Sequence, residues 1–157
     1  MKLDIAAIIK DFSISPSEYI LLHVGANTCQ EASYYDDFNF NKILWVEAIP
    51  EIVDEARHVI KNFPKQELVQ ALCFSESGVK FQMFISNNGK ESSSILKPKR
   101  HLVFHPKVKF NVEGNSIIST TIYEIMKKED SEKNVILVHK SGSLVSEHFD
   151  LEHAPLN

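Results

Sequence analysis

A chain of 157 residues, 43% hydrophobic and 24% charged, has the size and composition of one globular domain with a real core, which excludes a disordered or fibrous protein. Its 17 basic and 21 acidic residues give a net charge of −4 and are scattered along the chain, so there is no electrostatic footprint for nucleic acid or an anionic membrane. Cys29 and Cys73 are too few and too isolated for a disulfide framework or a zinc site, and they suit a reducing, cytoplasmic compartment.

Residues 2–12 carry apolar side chains at helical spacing, without the long apolar core and small-residue cleavage site of a signal peptide. No apolar run approaches the roughly 18 residues of a membrane span. Ser13, Ser15 and Pro16 end this first helix. Residues 19–24 form an apolar run too short for a typical helix that stops at Gly25, the pattern of a buried parallel strand turning into a loop. A helix over 30–38 follows, with Asn27 or Thr28 as its N-cap. Residues 42–48 repeat the buried strand. Pro50 then opens an amphipathic helix to Phe63, with Ile52, Val53, Ala56, Val59 and Ile60 on one side, and Pro64 ends it. Residues 67–74 give a third strand, so 19–74 alternate strand and helix as a doubly wound parallel sheet requires.

Beyond Phe74 the period changes. After a turn at 75–78, residues 79–85 alternate like a half-exposed strand paired in a hairpin, and 86–94 are a polar loop. Extended stretches at 107–113 and 116–121, a helix over 122–129 and a buried strand at 135–138 complete the predicted elements. The short basic cluster Lys97, Lys99 and Arg100 with His101 reads as a solvated loop. Residues 1–140 are expected to form one α/β domain without repeats or linkers, and 141–157 an irregular tail.

The first site candidate is the turn at 23–31. A glycine directly after a buried strand lets the backbone approach a ligand, and the helix beyond offers free N–H groups to a carboxylate or phosphate. A dinucleotide fingerprint wants three glycines, whereas here Asn27 and Gln30 accompany Gly25; Asn27 tolerates a left-handed backbone, but a pyrophosphate would be poorly accommodated. The same residues also suit an ordinary strand-to-helix turn. The second candidate is Glu47, which lies 22 positions after Gly25 at the end of the second strand, where a carboxylate engages ribose hydroxyls in nucleoside-binding folds. The plainer alternative is a solvated acid at a strand end. Ala71 and Leu72, ending the third strand, suit either an adenine or plain core packing.

These residues also carry a family resemblance. His-Val-Gly-Ala-Asn-Thr-Cys-Gln-Glu (23–31), Leu-Trp-Val-Glu-Ala-Ile-Pro (44–50), Gln-Ala-Leu (70–72), Glu-Ser-Ser-Ser-Ile-Leu (91–96) and Phe-His-Pro (104–106) resemble, in order, successive motifs of FkbM-type methyltransferases. The resemblance covers roughly residues 15–122. It implies a Rossmann-like class I sheet and methyl transfer from S-adenosylmethionine to a hydroxyl of a sugar or natural-product precursor. It places His23, Gly25, Asn27, Cys29 and Gln30 around the methionine end, Glu47 on the ribose, and Ala48, Ala71 and Leu72 beside the adenine.

The departures are specific. Cys29 stands where the family usually has a second glycine, Tyr123 where it has an acid, and only Gly142 survives from a motif expected after the strand at 135–138. The later strands of the family sheet are absent, so the sheet is expected to be incomplete on its C-terminal side, with 135–138 as an apolar edge prone to self-association. A base near the acceptor oxygen would help methyl transfer, and His105 and His101 are the candidates, each equally suited to an ordinary loop role. His101 and His105 share the His-x-x-x-His spacing but lie in no predicted helix, so no helical pair of that kind marks a metal site. Three readings follow from these residues. The first is a methyltransferase, the second a non-catalytic remnant or interaction module keeping the cofactor-binding half. The third is a nicotinamide-dependent enzyme, which the missing glycines disfavour.

Overall fold

The computed structural model describes residues 4–87, 93–95, 107–112, 116–129 and 134–139. In chain order they form α1 (Ile5–Asp11), a 3-10 turn (Pro16–Glu18), β1 (Tyr19–Val24), α2 (Ala32–Asp36), β2 (Lys42–Glu47), α3 (Pro50–Ile60) and β3 (Gln66–Gln70). Then come β4 (Leu72–Cys73), β5 (Lys80–Phe81), β6 (Phe84–Ser86), β7 (Phe110–Val112), β8 (Ile117–Thr120), α4 (Ile122–Met126) and β9 (Asn134–His139). The chain is mixed α/β. It divides into two compact units, one within Met1–Gln70 and Lys127–Lys140, the other within Ala71–Met126 and Ser141–Asn157.

The first unit is built on a parallel sheet in the order β3-β2-β1-β9. β1 and β2 are buried at every position after their first, as expected of strands covered on both faces, which explains why they read as unbroken apolar runs. Leu21, Ile43 and Trp45 point to one face, where they pack with Ile5, Tyr35, Phe40, Ala56, Ile60 and Val138. Ile20, Leu22, Leu44 and Val46, on the opposite face, are also buried. α1 is capped by Asp4, whose carboxylate accepts the Ala7 N–H at 3.0 Å, an arrangement worth about 1 kcal/mol. At the other end of the strands, Lys42 of β2 bridges Glu129 at 2.7 Å and Glu67 of β3 at 3.1 Å. Burial alone would lower the Lys42 pKa, but hydrogen bonds and charge from the two glutamates carry it above its ordinary value.

The second unit holds a three-stranded sheet, β4-β8-β5, with β4 parallel and β5 antiparallel to β8, and a β6-β7 antiparallel pair. Ser119 of β8 is buried and ties the turn at 76–79 to the strand: its hydroxyl donates to the Glu76 carbonyl at 2.6 Å and accepts the Val79 N–H at 3.1 Å. Thr121 caps α4 through its hydroxyl, which accepts the Glu124 N–H at 3.1 Å. The Glu124 carboxylate accepts in turn from Thr120 at 2.8 Å and from Ser77.

Several element boundaries differ from the sequence reading. The second helix starts at Ala32 rather than Gln30, with Glu31 and not Asn27 or Thr28 at its N-cap, because left-handed residues occupy the preceding loop. The single strand expected over 67–74 breaks at Ala71, since β3 pairs with β2 and β4 with β8. The strand expected over 79–85 is instead two short strands: β5 pairs antiparallel with β8 and β6 with β7, whose nearest pair is Ser86 with Phe110, 24 residues on (110 minus 86), while Phe84 also forms an isolated antiparallel bridge with Ser94. β9 matches its expected place and is the last strand of the sheet order among the described residues, with Val135 and Leu137 44% and 38% exposed and Val138 6%.

Candidate functional site

The loop from Gly25 to Glu31 leaves the C-terminal end of β1 and is fastened to β2. The Gly25 and Ala26 N–H groups both donate to the Val46 carbonyl, at 2.9 and 3.0 Å. Gly25 then takes φ +80, which its missing Cβ permits, and lets the chain turn sharply off the strand. Asn27 and Cys29 follow with φ +50 and +53, so left-handed residues alternate through the loop. Asn27 is among the residue types that accept this conformation, and its side chain supports the turn by accepting the Thr28 N–H at 2.7 Å. Cys29 has no such compensation, and the conformation costs it roughly 1–2 kcal/mol. It is held by its own N–H donating to Ala26 and by its carbonyl accepting from Ala32, both at 3.0 Å.

Glu47 closes the site from β2. It is 8% exposed, and its carboxylate accepts three backbone N–H groups: Asn27 at 2.9 Å on Oε2, Ala48 at 2.9 Å and Ile49 at 3.0 Å on Oε1. The same side chain thus clamps the β1 loop and the entry to α3, whose N-cap is Ile49. Hydrogen bonds to an ionised carboxylate are stronger than neutral ones, so the carboxylate fixes this end of the sheet.

Beneath the loop lies an aromatic layer. His23 is 3% exposed, with ring centroids 4.9 Å from Trp45 and 5.8 Å from Tyr35, and its Nδ1 is 3.2 Å from the Tyr35 hydroxyl. Tyr35 stacks on Trp45 at 5.2 Å. Trp45 donates to Gln66 Oε1 at 3.0 Å, and the Gln66 amide donates to the Ala32 carbonyl at 2.8 Å, tying β3 to the first turn of α2. Burial, then the charge of Glu31, raises the Tyr35 pKa.

The structure brings Gly25, Asn27, Cys29, Glu47 and Ala48 together. His23 lies in the aromatic layer, and Gln30 is exposed. The Cys29 side chain does not project into the open side of the turn: it is wholly buried among the core residues, where burial foremost, then the charges of Glu47 and Glu31, push its thiol from 9.0 up to about 12. Ala71 and Leu72 belong to the second unit, where Leu72 is buried and aligns with Ser119. Cys73 beside it is also a buried thiol, pushed up to about 12 by burial. His101 and His105 lie outside the described residues, as do Gly142 and the motif at 104–106; of the motif at 91–96 only 93–95 are described. Tyr123 is an exposed side chain on α4.

Sequence reasoning missed Tyr35, Trp45 and Gln66. A signal was present, since a tryptophan inside a buried strand needs a partner for its N–H, and Gln66 is the polar residue at the start of the neighbouring strand. Among the described residues no group of three or more His, Cys, Asp or Glu side chains is placed to hold a metal ion, and no helix is long and apolar enough to cross a membrane. Comparison with protein-family models, curated proteins and solved structures yields no match to the chain.

Proposed function

We propose that the chain is an S-adenosylmethionine-binding protein of FkbM methyltransferase type, with a Rossmann-like sheet and a sugar or natural-product hydroxyl as methyl acceptor. One observation carries the reading: the Gly25 turn and the Glu47 carboxylate lie side by side at the C-terminal ends of β1 and β2, and Glu47 is hydrogen-bonded into that turn. The strand order β3-β2-β1-β9 makes β1 the point where the chain reverses its direction across the sheet, and open α/β sheets bind ligands outside the strand ends at such a point.

The residues fit the cofactor in two respects. Gly25 offers backbone without a side chain, and the buried Cys29 side chain leaves the outer face of the loop clear. In this reading Gly25 and Asn27 hold the methionine end, Glu47 the ribose and Ala48 the edge of the base. When bound, S-adenosylmethionine supplies an electrophilic methyl group for the acceptor oxygen. The protein's part is to hold the loop in its left-handed form and to keep the Glu47 carboxylate oriented through three backbone donors.

A second reading, a non-catalytic module retaining only the clamp, is favoured by the extent to which the Glu47 carboxylate is already engaged by backbone. Titration calorimetry with S-adenosylhomocysteine separates the two. Saturable one-to-one binding is expected, and absence of heat at millimolar ligand would leave the module reading. Turnover with labelled cofactor and a sugar acceptor then tests activity.

A further inference from the structure

Glu47 is more constrained than a ribose-binding acid at an open strand end. An ionised carboxylate has about four lone-pair positions, two on each oxygen. Oε1 has both occupied, by the N–H groups of Ala48 and Ile49, and Oε2 has one occupied, by the N–H of Asn27. No described residue donates to the second position on Oε2. The residue as a whole is 8% exposed.

We propose that Glu47 recognises a single ribose hydroxyl, through Oε2, rather than gripping the 2′ and 3′ hydroxyls together. This rests on the reading of the loop as a nucleoside site. A two-pronged grip would need a place on Oε1, and hence the release of Ala48 or Ile49. The Ile49 hydrogen bond is buried, so its amide would lose a partner that water cannot replace. Releasing the Asn27 N–H instead frees a place only on Oε2, the oxygen that already has one, and it unclamps the loop that shapes the site. The arrangement therefore selects a nucleoside by one hydroxyl and is indifferent to the other as far as Glu47 is concerned.

The test needs no variant of the protein. S-adenosylhomocysteine and its 2′-deoxy and 3′-deoxy analogues are titrated into the full chain by calorimetry, while hydrogen exchange at the Asn27, Ala48 and Ile49 amides is followed by NMR. One deoxy analogue is expected to bind within about threefold of the parent and the other to lose about tenfold or more, the loss of one hydrogen bond to a charged acceptor. All three amides are expected to stay protected in the free and bound states. Losses of tenfold or more with both analogues, or with neither, overturn the single-hydroxyl grip while leaving the nucleoside site standing; so does loss of protection at Ala48 or Ile49 on binding. No binding of the parent compound overturns the nucleoside reading itself, and this inference with it.

Discussion

Replacing Glu47 by Gln keeps the size and shape of the side chain and removes only the charge and one acceptor, yet here it should be strongly destabilising. Oε1 can remain a carbonyl facing the Ala48 and Ile49 amides, which puts the new NH2 group opposite the Asn27 N–H at a distance set for a hydrogen bond, 2.9 Å. Two donors then meet. The charge-assisted bond to Asn27 is lost, worth about 1.5–3 kcal/mol, and the two bonds retained fall to about half their strength on becoming neutral. A total of about 3 kcal/mol or more is expected, equivalent to roughly a 1 M fall in urea midpoint or more. The assay is urea unfolding followed by the fluorescence of Trp45, the chain's one tryptophan, buried in the same unit. Glu55→Gln, on an exposed position of α3, is the control and should shift the midpoint by no more than about 0.5 kcal/mol-equivalent. If the two variants unfold together, Glu47 does not clamp the loop, and the lone-pair count behind the single-hydroxyl grip fails as well.

The sequence revealed most where an element's own residues decide its state. β1, β2 and β9 are apolar runs of the right length, and α3 has proline at its start and a clean apolar face, so their place in an α/β unit was legible without partners. The Gly25 turn and Glu47 were legible as neighbours because both end strands that pair directly. What the carboxylate binds was not, because its partners are backbone N–H groups, which every sequence supplies in the same number. The α2 boundary was hidden for a related reason: Asn27 spends its side chain on the adjacent Thr28 N–H, within a left-handed turn, instead of capping the helix. Residues 67–74 read as one strand because nothing local marks Ala71 as a change of partner; the pairing of β4 depends on β8, some 47 residues on (119 minus 72).

Four further outcomes test the packing. Cys29→Gly should be more stable than Cys29→Ala by about 1 kcal/mol, the reverse of the order in a helix, because only glycine takes φ +53 without penalty; equal or inverted midpoints would remove the strain. Self-association through the outer edge of β9, expected from its apolar sequence, should fall on light scattering with Leu137→Lys, which adds charge at a partly exposed position. Val138→Lys should instead cost several kcal/mol by burying a charge in the core, and a stable Val138→Lys protein would contradict the register of the strand. The last outcome is alkaline. The Cys29 thiol is held above its ordinary 9.0, at about 12, by burial and by Glu47 and Glu31, so the folded chain keeps a proton that the unfolded chain sheds. Its contribution to stability is therefore complete below pH 9 and is lost as the pH rises toward the folded-state value, at about 1.4 kcal/mol per pH unit. Tyr35 and Lys42, also raised, act in the same direction at higher pH and remain in a Cys29→Ala variant. Between pH 8 and pH 10 the wild-type chain should lose about 1.4 kcal/mol more than that variant in urea titrations read by Trp45. Parallel pH dependence in the two proteins would mean that the thiol is not enclosed beneath the loop and that Cys29 faces solvent on the side proposed for the cofactor.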